Sequence, residues 1–118
     1  MKYLCLIYDD ETIWNSMPKE KADAIMGEYA SFTEDIRKNG TYIAGEALQP
    51  THTATTVRVR KGKVSTTDGP FAETKEQLGG FYIINAKDLN EAVQVASRIP
   101  SVREGCVEVR PVMEFDES

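Results

Sequence analysis

The order of apolar and polar residues divides this chain into six strands and two helices. Residues 3–8, Tyr-Leu-Cys-Leu-Ile-Tyr, are apolar throughout, which predicts a central strand covered on both faces. Residues 9–17 read as a loop. Apolar side chains then recur at three- and four-residue spacing, at Ala22, Ile25, Met26, Tyr29, Phe32 and Ile36, the stripe of a helix packed on one side. Pro18 suits its first turn, Ser16 stands where a cap would, and Asn39-Gly40 supplies a left-handed stop. Gly27 inside that helix costs about 1 kcal/mol against alanine, which points to a close contact there.

The second half is richer in strands. Residues 41–48 form one, ended by Gln49-Pro50. Residues 55–60 form a cleaner one, with Val57 and Val59 on one face and Arg58 and Arg60 on the other. Lys61-Gly62 turns the chain into a hairpin partner at 63–67. Residues 80–85 again carry apolar groups on both faces. Asp88, with Glu91 three places on, has the pattern of a capping box for a second helix whose inner stripe is Leu89, Ala92, Val93, Ala96 and Ile99, ended by Pro100. In the last strand, 106–115, Val107, Val109 and Met113 alternate with Glu108, Arg110 and Glu114, and Pro111 places it at an edge or a bulge.

Strand, helix, strands, strand, helix, strand is the order of a split βαβ sheet with both helices on one face, an α+β ferredoxin-like sandwich with an extra β-hairpin. Two helices cover one face only, yet two of the strands are oily on both. A second copy, facing sheet to sheet in a two-fold dimer, is the expected cover; loops 49–55 and 68–79 folding over that face are the alternative.

At 118 residues the chain fits one domain, 1–118, large enough to bury a core without disulfides or metal. A net charge of −5 argues against general affinity for nucleic acid or for an anionic membrane, and no apolar run is long enough to span a bilayer. The first eight residues are too short an apolar run for a signal peptide and lack a small-residue cleavage site, so the cytoplasm is the expected compartment. Cys5 and Cys106, both in strands, are then expected to be reduced and buried. One histidine and two distant cysteines build no standard zinc site. No phosphate loop, dinucleotide fingerprint or nucleophile motif occurs, so neither metal nor cofactor is expected.

The segment 67–80 concentrates the remaining chemistry. Asp68-Gly69-Pro70 is a turn by mechanism, Phe71 an apolar anchor, and Glu73 a charge at a surface or cleft rim. Gly79-Gly80, entering a central strand, marks a bulge or a close approach by backbone or ligand. Asp68 either holds the turn alone or lines a pocket. His52, the only histidine, is of the residue type that serves as a general base, but sits in a Thr-rich loop. Arg58 is a candidate carboxylate-binding fork, and the tyrosines, Tyr82 among them, could place hydroxyls in a pocket.

The same segment, Thr-Asp-Gly-Pro-Phe-Ala-Glu-Thr-Lys-Glu-Gln-Leu-Gly-Gly, resembles the signature of the YCII-related family in its DGPF-domain branch. Met1-Lys2-Tyr3, Ala44-Gly45-Glu46, Thr55-Thr56-Val57-Arg58 and Glu108-Val109-Arg110-Pro111-Val112 resemble it too, in the right order along nearly the whole chain. The resemblance implies a bacterial homodimer of the dimeric α+β barrel kind. Some members are joined to sigma-factor-like regions, which implies a sigma factor as partner and a link to transcription. Other members carry a His and an Asp that look like a catalytic dyad; here Tyr29 stands at the histidine position and Ile99, before Pro100, at that of the aspartate. Neither can relay a proton as that pair would.

Two functions follow as expectations. One is a non-enzymatic homodimeric module binding a small ligand or a protein partner, with Asp68, Phe71, Glu73, Arg58, Gly79 and Gly80 as ligand-binding residues. The other is a proton-transfer enzyme acting on a small carbonyl or lactone, with Asp68 as acid/base and His52 or Tyr82 assisting.

Overall fold

A computed structural model describes residues 1–115. Its elements, in chain order, are β1 (Lys2–Asp9), α1 (Glu11–Ser16), α2 (Lys19–Lys38), β2 (Tyr42–Ala47), β3 (Thr55–Arg60), β4 (Lys63–Asp68), β5 (Gln77–Asn85), α3 (Leu89–Ala96) and β6 (Cys106–Pro111), with short 3₁₀ turns at Thr51–Thr53 and Pro100–Arg103. Four strands form an antiparallel sheet in the order β2-β5-β1-β6. The helical crossover from β1 to β2 skips over β5, and that from β5 to β6 skips over β1. This is the interleaved split βαβ arrangement of a ferredoxin-like α+β fold.

Alternation along the strands decides which side chains meet the helices. Tyr3, Cys5 and Ile7 of β1 and Tyr82 and Ile84 of β5 point to one face and are buried against Phe32 and Ile36 of α2, Ala92 and Ala96 of α3, and Ile99. Val107 and Val109, opposite Ile7 and Cys5 in register, extend this layer onto β6. On the other face lie Leu4, Leu6 and Tyr8, with Ile83 and Phe81 opposite Leu4 and Leu6. Both long helices pack on the first face, and these five side chains remain half-exposed.

The β3–β4 hairpin forms its own two-stranded sheet. Lys61 and Gly62 both have positive φ, 50° and 75°, as a type I′ turn requires. Every residue of both strands is exposed except Thr56. The hairpin is tied down at its base, where Gly69 N–H donates to the Ala54 carbonyl at 2.7 Å and the Thr56 hydroxyl to the Gly69 carbonyl at 2.9 Å. It projects as an arm. The radius of gyration is accordingly 16.5 Å, against about 13–14 Å for a compact chain of this length.

Several local expectations need correction. Residues 11–16 are helical rather than loop, because the Asp10 carboxylate caps them, accepting from Thr12 N–H at 2.9 Å. Ser16 does not cap α2; its hydroxyl donates back to the Thr12 carbonyl at 2.9 Å, and Pro18 takes the cap position without a side-chain bond. A methyl group at Gly27 would meet nothing within 4 Å, so no close contact explains that glycine. Leu89 and Val93 are exposed on α3; its inner face is set by Ala92 and Ala96, with Val95 and Ile99 beside them. Asp88 does cap α3, accepting from Glu91 N–H at 2.9 Å, but Glu91 reaches back to Lys87 N–H rather than to Asp88. Cys5 is buried as expected, whereas Cys106 is exposed on the second sheet face opposite Tyr8. Met113 lies beyond the end of β6 and is exposed.

Candidate functional site

Where β1 and β2 end and β5 begins, the sheet and the two N-terminal helices draw apart around a cleft of about 490 Å³. The local sequence opens it. Ile7 pairs with Gly80 but Tyr8 with Leu78, so Gly79 is the extra residue of a bulge in β5. The bulge frees the Gly79 carbonyl to accept from Leu48 N–H at 2.9 Å, which pins the end of β2. A side chain at Gly80 would reach within 2.9 Å of the Glu46 carbonyl, so only glycine lets β2 and β5 approach here. The short helix α1 closes one side of the cleft. Its Glu11 carboxylate accepts from Thr51 N–H and from the Thr51 hydroxyl, both at 2.8 Å, and its Glu11 N–H donates to Gln77 Oε1 at 3.0 Å.

The walls are mainly aromatic. Trp14 of α1, Tyr29 of α2, Tyr42 of β2 and Tyr82 of β5 line the cleft. Tyr82 stands edge-on to Phe32 and to Tyr42, with ring centroids 5.3 and 6.3 Å apart, which fixes its plane. Its hydroxyl is hydrogen-bonded to the Thr33 hydroxyl at 2.7 Å. The Tyr29 and Ser101 hydroxyls are hydrogen-bonded to one another. Burial raises the pKa of both tyrosines above the ordinary phenol value, so both are neutral donors at physiological pH.

Asp9, the last residue of β1, is half-buried in the same cleft. Burial raises its pKa above the ordinary carboxylate value, the Ser101 and Trp14 side chains pull it part of the way back, and the charges of Glu104 and Glu76 push it up again. The cleft thus combines apolar walls, two neutral phenols and one carboxylate that holds its proton more tightly than usual. That combination can orient a small molecule and exchange a proton with it. Among the described residues no cluster of three or more His, Cys, Asp or Glu side chains is placed to hold a metal ion, and no helix is long and apolar enough to cross a membrane.

The residues singled out from sequence divide between two regions. Tyr82, Gly79 and Gly80 are in the wall of the cleft. Asp68, at the end of β4, and Arg58, in β3, are exposed on the arm, and neither lines the cleft. Phe71 is 81% exposed and Glu73 is exposed in the segment after the arm. His52 is exposed in the 3₁₀ turn, next to the Thr51 that Glu11 holds. Asp68, His52 and Tyr82 therefore do not share the cleft. Asp9, Trp14, Thr33 and Ser101 were not singled out. The available signal for Asp9 was its place, an acid directly at the end of a strand apolar on both faces.

The sequence profile of the family described as YCII-related domain matches residues 1–116. The chain belongs to the YCII-related family. An uncharacterised protein of Rhizobium meliloti (strain 1021) is 36% identical to it over 114 residues, covering 95% of this chain and 92% of the relative. Within this YCII-related chain the two positions that resemblance assigned to a His–Asp dyad lie near one another. Tyr29 reaches Ser101, two residues beyond Ile99, while Ile99 itself is sealed in the core at 1% exposure. The Tyr29 and Ser101 hydroxyls stand beside Asp9.

Proposed function

We propose that this YCII-related chain is a small-ligand-binding module that works as a homodimer, with the cleft between α1, α2 and the β1–β2–β5 strand ends as its binding site. The observation that carries the reading is the cleft itself. Its volume of about 490 Å³ lies in the range of small-molecule sites, and its aromatic walls converge on a few polar groups, as such sites do. The homodimer rests on the half-exposed second sheet face and on the arm. An isolated two-stranded hairpin is marginal in water, and this one exposes Val57, Val59 and Val64 on one side. Residues 55–67 hold four basic side chains and no acidic one in a chain of net charge −5, so a second copy offers the arm a surface of opposite sign. A sigma-factor partner stays an implication of the family resemblance, carried by no residue described above.

A second reading, proton transfer on a small carbonyl or lactone, is favoured by one feature: the raised proton affinity of Asp9 beside the Tyr29–Ser101 pair. The acid/base in that reading is Asp9, since Asp68 stands in solvent on the arm. A fragment screen observed by amide NMR tests the binding reading. Hits should perturb Trp14, Gly79, Gly80 and Tyr82. Hits confined to residues 55–73 would move the site to the arm, and a library that perturbs no cleft residue would remove the proposal.

A further inference from the structure

The charges around the cleft select among small ligands. Its walls carry three carboxylates, Asp9, Glu11 and Glu46, and one guanidinium, Arg37. Two of these four are already occupied. Both oxygens of Glu11 accept hydrogen bonds from Thr51. Arg37 lies over the Tyr42 ring, 4.6 Å from its centroid. Glu46 is exposed at the rim, and Asp9, half-buried with only the Ser101 and Trp14 side chains as hydrogen-bond partners, is the remaining carboxylate inside.

Asp9 lacks a counter-charge. None of the ion pairs among the described residues includes it, and the charged groups near enough to act on it, Glu104 and Glu76, share its sign. A half-buried carboxylate in that position repels an anion and gains from a cation that brings its own hydrogen-bond donors. Aromatic side chains in a cleft act in the same direction, because their faces attract cations and pack against apolar groups. The stacking of Arg37 on Tyr42 is one instance already present at the cleft wall.

We infer that the cleft takes a small primary or secondary amine on an apolar body, the ammonium group seated on Asp9 and the body against Trp14, Tyr29 and Tyr82. This rests on the reading of the cleft as a small-ligand site and adds the ligand class. It assigns Asp9 to binding through charge. It also makes amine binding weaken as the pH falls far enough to protonate Asp9, while binding of a neutral analogue stays level.

Three probes of nearly equal size decide it: 2-phenylethylamine, 2-phenylethanol and phenylacetate, titrated into the full chain at pH 7.5 by calorimetry with Trp14 fluorescence in parallel. The amine should bind about ten- to a hundredfold more tightly than the alcohol, the worth of one charge-assisted hydrogen bond, and phenylacetate most weakly. In Asp9→Asn the amine should lose that advantage, so that amine and alcohol bind within about twofold of one another. If the alcohol or phenylacetate binds as tightly as the amine, the ligand class is wrong and the small-ligand site survives. If none of the three gives heat or moves Trp14, both readings fall. The wild-type comparison stands without the variant, so a poorly folded Asp9→Asn does not blunt it.

Discussion

Leu6→Asp probes the bare face of the sheet. Leu6 lies in register between Phe81 of β5 and Glu108 of β6, on the face away from the helices. Burying a leucine fully is worth about 1.5–3 kcal/mol, but Leu6 is half-covered within its own chain. About 1 kcal/mol is then left to gain per copy on association, and two-fold symmetry counts it twice. An aspartate forfeits that gain and brings a carboxylate that must be desolvated in each copy, a further cost of at least similar size. The total is about 4 kcal/mol per dimer, close to three powers of ten in the dissociation constant. Sedimentation velocity reads it directly. The wild type at micromolar concentration should sediment at twice 13.2 kDa, and the variant as a single chain with unchanged helical circular dichroism. A wild type that sediments as one chain, or a variant that stays paired, refutes the argument from the uncovered face.

Three further outcomes follow from named contacts. The folded state raises the pKa of Asp9, so across the window just above its ordinary value of 3.8 the folded chain holds a proton that the unfolded chain has released. Asp9 therefore lowers stability as the pH rises through that window, and Asp9→Asn should be the more stable protein at pH 7, its advantage shrinking on acidification; denaturant titrations at several pH values would contradict this if the difference were flat or grew toward acid. Gly105→Ala puts a methyl group 2.0 Å from the Tyr8 carbonyl, backbone that cannot swing aside, and 2.8 Å from the Asp9 side-chain Oδ1, so it should cost about 3 kcal/mol and lower Tm by roughly 12 °C; a variant melting within two or three degrees of wild type, roughly the shift of a neutral change, would speak against the contact. Burial pushes the Cys5 thiol up to about 11, so native Cys106→Ser should show no thiol reactive toward a disulfide reagent at pH 8 until it unfolds.

The fold was legible where a pattern repeats over several residues. The unbroken apolar runs of β1 and β5 marked the central strands, and the Val/Arg alternation of β3 marked the hairpin. Gly79-Gly80 announced the bulge that the register contains. Short or small features were not legible. Helix α1 spans six residues, fewer than two turns, and its capping acid reads as loop chemistry. On α3 the large apolar Leu89 and Val93 drew the eye, but a helix packed closely on a sheet puts alanine at the contact, here Ala92 and Ala96. The site was harder still. Gly79 and Gly80 were found because they sit within one conspicuous segment, and Tyr82 as one of the tyrosines that could place a hydroxyl in a pocket. Asp9, Tyr29 and Ser101 are separated by up to 92 positions in the chain and become neighbours only when α2 and the turn after α3 cross the same end of β1. Asp68 attracted attention through turn chemistry; in the structure it is the exposed last residue of β4, paired with Thr55.

The central claim is that the cleft, and no other surface, receives the ligand. The chain has a single tryptophan, and Trp14 lines that cleft, so its emission reports on the site alone. For a small molecule that calorimetry shows to bind, titration should change Trp14 emission saturably with the same midpoint as the heat. A ligand that binds with measurable heat and leaves Trp14 emission untouched would contradict the account.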